Sequence, residues 1–172
     1  MEKENFKVYQ LRVAFDRDNN IFRVIKIRDD NSLEDLANRI LKSINFDDDH
    51  LYLFNMDNNY YNGTNTYQRA YHDLKKSEKV LLREIGLEEK QVFQLWYDFG
   101  EDWFFSIIVE KIEDSSRFKK ARVVSSQGKL KQYLSEAELD AYLNGYFDKD
   151  SKKDSDEDED DGYYQSSLKE FE

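Results

Sequence analysis

A two-residue alternation opens the chain and then gives way to a 3.6-residue period, and this switch limits the possible folds more than any other feature. In "KVYQLRVAF", Tyr9, Leu11, Val13 and Phe15 fall on one face of a strand, with Gln10 and Arg12 on the other. "DRDNN" follows, a turn composition whose residues tolerate left-handed backbone. The β-branched "IFRVIKI" reads as the returning strand, so the two runs make a hairpin. In "DDNSLEDLANRILKSINF" the period changes: Leu33, Leu36, Ala37, Ile40, Leu41 and Ile44 recur at helical spacing. Asn31 or Ser32 can cap this helix, and Glu34 and Asp35 suit the positive end of its dipole. It ends near Asn45, where "FDDDH" turns the chain into the strand "LYLFNM".

The remainder repeats these themes. Asp57 to Thr66 is a polar, Asn-rich loop, and "SEKVLLREIG" reads as a short helix closed by Gly86. "QVFQLWYDF" and "WFFSIIVEKI" flank "GED" as a second hairpin, with Trp103, Phe105, Ile107 and Val109 sharing one face. "SEAELDAYLNGYF" carries Ser135 and Glu138 in capping-box register and predicts a late helix. The expected fold is α+β: an antiparallel or mixed sheet built from two β-hairpins plus one further strand, with helices packed on one face. The opening ββαβ suggests a β-grasp arrangement.

After Phe147 the composition breaks. Residues 148–161 hold nine acids against three lysines, a net of −6 out of −11, which leaves −5 for the rest. Such a run cannot bury enough apolar surface to fold. We therefore expect a single domain over 1–147, an acidic disordered linker over 148–162, and a short segment over 163–172 in which Tyr164, Leu168 and Phe171 have helical spacing.

Composition excludes several function classes. The net charge disfavours sequence-independent binding to nucleic acid or to anionic membrane, because phosphates would be repelled. With no cysteine there are no disulfides, thiolate metal sites or thiol nucleophiles, and with no proline the turns rest on Gly, Asn and Asp. No apolar run approaches the ~20 residues of a membrane span, and "MEKENFKVYQ" lacks a signal-peptide core. A soluble cytoplasmic protein is expected, with no membrane partner and no cofactor.

Two stretches concentrate chemistry, "FDDDHLYLF" at Phe46–Phe54 and "YDFGEDWFF" at Tyr97–Phe105. Their carboxylates, gathered into one pocket, would ligate Mg²⁺ or Ca²⁺, and a histidine would extend this to Zn²⁺ or Mn²⁺. Asp49, His50, Asp98 and Asp102 are the candidate ligands. The commoner role is structural: Asp at a helix-to-strand junction bonds nearby amides, and "DFGED" suits a hairpin turn with Gly100 at positive φ. Trp96 and Trp103 flank this turn, with sheet-face packing their default role and ligand stacking the alternative. Other readings fail. "DFG" here has no glycine-rich loop or "HRD" before it. An EF-hand register on Gly162 places Leu168 where a bidentate Glu is required. His72, in "YHDLKK", reads as a surface residue, and no Ser-His-Asp set can be assembled.

"VYQLRVAF", a helix, "FDDDHLYLF" and then "REIGLEEKQVFQLWYDFGEDW", in that order, resemble the plasmid pRi open-reading-frame-three-like family. The same domain is known as a TnpR-type passenger protein of insertion elements. The resemblance runs from Tyr9 to Val124, and its most specific parts are "DDDHL" and "YDFGEDW". It implies an α+β domain, and for function a family with no established activity; the link to mobile elements is one of gene neighbourhood and implies no recombinase chemistry. Relatives often carry a histidine where Phe105 stands here, and a later stretch with proline and cysteine that this chain replaces with "VVSSQGKLKQYL". Any activity resting on that histidine would be absent here.

The expectation is a non-enzymatic interaction module with no catalytic residue assigned. Its binding surface comprises Asp47, Asp48, Asp49, His50, Trp96, Tyr97, Asp98, Gly100, Glu101, Asp102 and Trp103, and its partner is a basic protein surface rather than nucleic acid. The alternative is a metal-dependent, hydrolase-like enzyme using Asp48, Asp49, His50, Asp98 and Asp102. A DNA-mimic reading would need negative charge spaced along the folded surface, whereas most of it lies in the tail.

Overall fold

The protein is described by a computed structural model that covers residues 5–59, 63–69 and 76–150. His72, the segment 163–172 and all but the first three residues of the acidic run lie outside the described residues. The chain divides into two units, Met1–Lys131 and Gln132–Glu172. In the first, β1 (Phe6–Phe15), β2 (Asp18–Arg28), β3 (Tyr52–Asn55), β4 (Thr66–Gln68), β5 (Val92–Tyr97), β6 (Trp103–Ser115) and β7 (Arg122–Gln127) form one sheet. Its strand order is β4-β3-β5-β6-β1-β2-β7, and every pairing is antiparallel. Helices α1 (Leu33–Ile44) and α2 (Leu82–Ile85) belong to the same unit, while α3 (Glu136–Asp150) belongs to the second. The class is α+β.

Alternation decides which side chains enter the core. Tyr9, Leu11, Val13 and Phe15 of β1 are buried together with Ile25 and Ile27 of β2. Phe93, Leu95 and Tyr97 of β5 and Phe105, Ile107 and Val109 of β6 join them. Helix α1 adds Leu33, Leu36, Ala37, Ile40, Leu41 and Ile44, all within the same cluster. Burial of these apolar surfaces, at roughly 25 cal/mol per Å², is the main force holding α1 in place. Phe105 is 2% exposed and lies in the core.

Ser32 is the cap of α1. Its hydroxyl oxygen accepts the Asp35 N–H at 3.1 Å, and the Asp35 carboxylate accepts the Ser32 N–H at 2.8 Å. Ser32→Ala is therefore expected to lower stability by about 1 kcal/mol and Ser32→Gly by only a few tenths, read from urea midpoints.

Three expectations need correction. The opening ββαβ does not form a β-grasp unit, because β1 has β6 as its second neighbour and β3 lies between β4 and β5. "SEKVLLREIG" is not one helix: a 3₁₀ turn at Ser77–Lys79 and the short α2 are separated by extended backbone at Val80 and Leu81. The cause is tertiary. The Val80 carbonyl accepts the Leu33 N–H at 3.0 Å and Leu81 bridges to Ser32, so this segment pairs with the start of α1. Finally, Gly100 is not at positive φ; Asp98 (φ 54°) and Asp102 (φ 55°) take the left-handed conformation instead.

Candidate functional site

The stretches "FDDDHLYLF" and "YDFGEDWFF" meet at one end of the sheet because β3 and β5 are neighbours, with Tyr52 opposite Tyr97. Asn45, left-handed at φ 61°, ends α1, and the Phe46 N–H donates back to the Leu41 carbonyl at 3.0 Å. This reversal buries Phe46, which packs edge-on against Trp103 at 4.7 Å and against Tyr97 at 6.4 Å. Asp47, Asp48 and Asp49 then emerge exposed, and His50 is half-buried.

Two hydrogen bonds stitch the turns together. The Tyr97 hydroxyl donates to the Asp47 carbonyl, and the Asp98 N–H donates to the Leu51 carbonyl at 2.9 Å. A third support comes from a residue with no sequence signal. Arg69, just past β4, donates from Nη1 to the carbonyls of Asp48 and His50 and lies 4.0 Å from Glu34. A lone arginine after a polar loop has no pattern to mark it, and only the pairing of β4 with β3 carries it under the acidic turn.

The second turn also closes on itself. Asp98 is buried, and its carboxylate accepts the Gly100 N–H at 3.1 Å while its carbonyl accepts the Asp102 N–H at 2.8 Å. The Asp102 carboxylate accepts the Trp96 indole N–H at 2.9 Å. Between the turns, His50 Nε2 lies 3.4 Å from Asp49 Oδ1 and 3.7 Å from Asp98 Oδ2, its ring edge-on to Tyr97 at 5.9 Å.

The two tryptophans sit on opposite faces of the sheet. Trp103 faces the core against Phe15 and Phe46, with its buried indole N–H lacking a partner among the described residues. Trp96 faces the other way, with Phe99 at 4.5 Å and Phe104 at 5.4 Å. Phe99 (40% exposed) and Leu51 (39%) are exposed apolar residues of the two turns, which also carry the exposed Asp47, Asp48, Asp49 and Glu101. Neither was singled out from sequence, because one exposed Phe or Leu carries no pattern. Among the described residues, no three His, Asp or Glu side chains are grouped to hold a metal ion. No helix among them is long and apolar enough to cross a membrane.

The chain is similar in fold to a crystal structure of MM3350, a protein of unknown function from Methanosarcina mazei Go1. The TM-score is 0.65 at 20% identity, over 95% of this chain and 97% of that one. No curated protein matches the chain. The family model described as plasmid pRiA4b ORF-3-like protein matches residues 7–133, a span that contains the seven-stranded sheet except its first residue, Phe6, together with α1 and both acidic turns.

Proposed function

The chain belongs to the plasmid pRiA4b ORF-3-like family, and from that premise we propose that it is a non-enzymatic interaction module that grips a basic protein segment at its paired acidic turns. One observation supports this reading: the Tyr97–Asp47 and Asp98–Leu51 hydrogen bonds join two turns that carry the exposed Asp47, Asp48, Asp49 and Glu101 and the exposed Leu51 and Phe99. A preformed surface loses little entropy on binding. The acids would speed encounter with a cationic partner, and Phe99 and Leu51 would supply the apolar anchor. Two carboxylates of the second turn are already engaged. Asp98 closes its own turn and Asp102 holds Trp96, so they serve the scaffold rather than a reaction. The acidic run over 148–162 would add to the long-range attraction.

The test is a titration with a labelled Lys/Arg-rich peptide containing one leucine, against an acidic peptide of equal length. Phe99→Ala is expected to weaken the basic peptide by about tenfold, a loss of about 1.4 kcal/mol. Asp48→Asn with Asp49→Asn should mainly slow association and flatten its salt dependence. Equal affinity for both peptides, or indifference to all three substitutions, refutes the proposal.

A second reading, the metal-dependent hydrolase, draws on the His50 imidazole between Asp49 and Asp98. Its test is thermal unfolding with Mg²⁺, Mn²⁺, Ca²⁺ and Zn²⁺, since an ion held only by the folded state raises the midpoint. A saturable rise that disappears in both Asp49→Asn and Asp98→Asn would displace the binding module.

A further inference from the structure

A groove on the flank of α1 runs against the charge of the whole chain. It has a volume of about 390 Å³ and is lined by Arg28, Arg39, Lys42, Lys119 and Lys120, with only Asp30 and Asp35 as opposing carboxylates. That volume lies within the ~300–1,000 Å³ typical of small-ligand sites. Three elements build it. The end of β2 carries Arg28, the outer face of α1 carries Arg39 and Lys42 one turn apart, and the β6–β7 connection brings Lys119 and Lys120 across to them.

Both carboxylates in the groove are already engaged. Asp30 is gripped through both oxygens by the Arg28 guanidinium, and Asp35 accepts the backbone N–H and hydroxyl of Ser32 in the α1 cap. The side chains of Arg39, Lys42, Lys119 and Lys120, in contrast, have no hydrogen bond or ion pair to any described residue. In a protein of net charge −11, four cations without an ion-pair partner that face one cavity repel one another. In a second groove, lined by Lys26, Arg117, Arg122, Glu113 and Asp114 among others, Lys26 is paired with Glu113 at 2.9 Å. Asn38 also lines the groove and adds a neutral side-chain amide among the cations.

We propose that this groove binds a small ligand carrying two or more phosphate groups. A planar guanidinium paired with flexible ammonium groups suits the several oxygens of a diphosphate, and a single carboxylate would leave most of the cations unmatched. The site is separate in its residues from the acidic turns, and the proposal stands whether or not those turns bind a protein.

The experiment is calorimetric titration of the full chain with inorganic pyrophosphate, then ADP, then phosphatidylcholine vesicles containing a phosphoinositide. Binding of pyrophosphate at one per chain is expected, weakened by about tenfold or more in Arg39→Gln/Lys120→Gln. Lys79→Gln, a charge change outside the groove, should leave affinity unaltered. These are substitutions of half-buried or exposed side chains without partners, and an unchanged unfolding midpoint confirms that folding is intact. Gain with ADP but not vesicles assigns a soluble nucleotide-type ligand, and gain with vesicles but not ADP assigns a lipid headgroup; either supports the site. Absence of pyrophosphate binding, or binding equally weakened by Lys79→Gln, overturns it. So does a single-stranded oligonucleotide that binds through the same cations about a hundredfold more tightly than pyrophosphate, since that outcome makes the groove a nucleic-acid surface.

Discussion

Tyr97→Ala is expected to lower the free energy of unfolding by about 3–5 kcal/mol, as for other large aromatic truncations in a core. Tyr97 has no exposed surface, packs against Phe46, and is the hinge between core and site because its hydroxyl donates to the Asp47 carbonyl. The substitution removes the ring and the stitch together. Tyr97→Phe separates the two effects: the ring stays, and about 1 kcal/mol is lost with the hydrogen bond. Urea unfolding checks both, with an unchanged slope showing that the unfolded state is the same. If the proposed surface depends on the stitch, Tyr97→Phe will also weaken the basic peptide although it lowers stability by only that about 1 kcal/mol. A loss below about 1 kcal/mol for Tyr97→Ala would mean that the site end of the sheet is not part of the cooperative core.

Stability is expected to fall as the pH rises from 10 towards 12, and Tyr52 is the main cause. Burial foremost, with a smaller push from the Glu34 charge, drives its phenol up to about 12, against the opposing hydrogen bond with Ser77. The two hydroxyls are 2.7 Å apart and buried. An unfolded chain ionises this tyrosine near 10, while the folded chain keeps the proton until about 12. Within that window the folded state holds more protons, so stability drops by up to about 1.4 kcal/mol per pH unit. Below 10 the contribution is present in full. Burial also raises Tyr9, with Asp29 adding to it, and acts in the same direction. The Tm of wild type and Tyr52→Phe should be followed through this range. The variant will start lower by about 1–3 kcal/mol, because the Ser77 hydroxyl is left buried without its partner, and will decline less steeply. Parallel decline of the two proteins would move the effect to other tyrosines.

Local periodicity made much of the scaffold legible. The six apolar positions of α1 read at helical spacing are its six buried residues, and the alternate residues of β1 and β6 face the core as their pattern implies. Where burial is absent, so is the pattern. All six residues of β7 are exposed, which leaves no alternation to detect, and the three residues of β4 are too few to show a period. The interruption at Val80 was hidden for another reason: its cause is a backbone partner at Leu33, remote in sequence.

The candidate site divides in the same way. The sequence alone determined which residues are acidic, that they sit in turns ending strands, and that a core-forming helix precedes the first of them. Each of these is a consequence of side-chain chemistry acting over a few neighbouring residues. The tertiary structure decided that the two turns meet, that Trp96 and Trp103 part to opposite faces, that Arg69 supports the first turn, and that Arg39 and Lys42 share a groove with Lys119 and Lys120. These depend on strand order. Placing β5 between β3 and β6, and carrying the β6–β7 connection back to α1, are outcomes of which pairings bury the common apolar face together, a choice made over the whole chain at once.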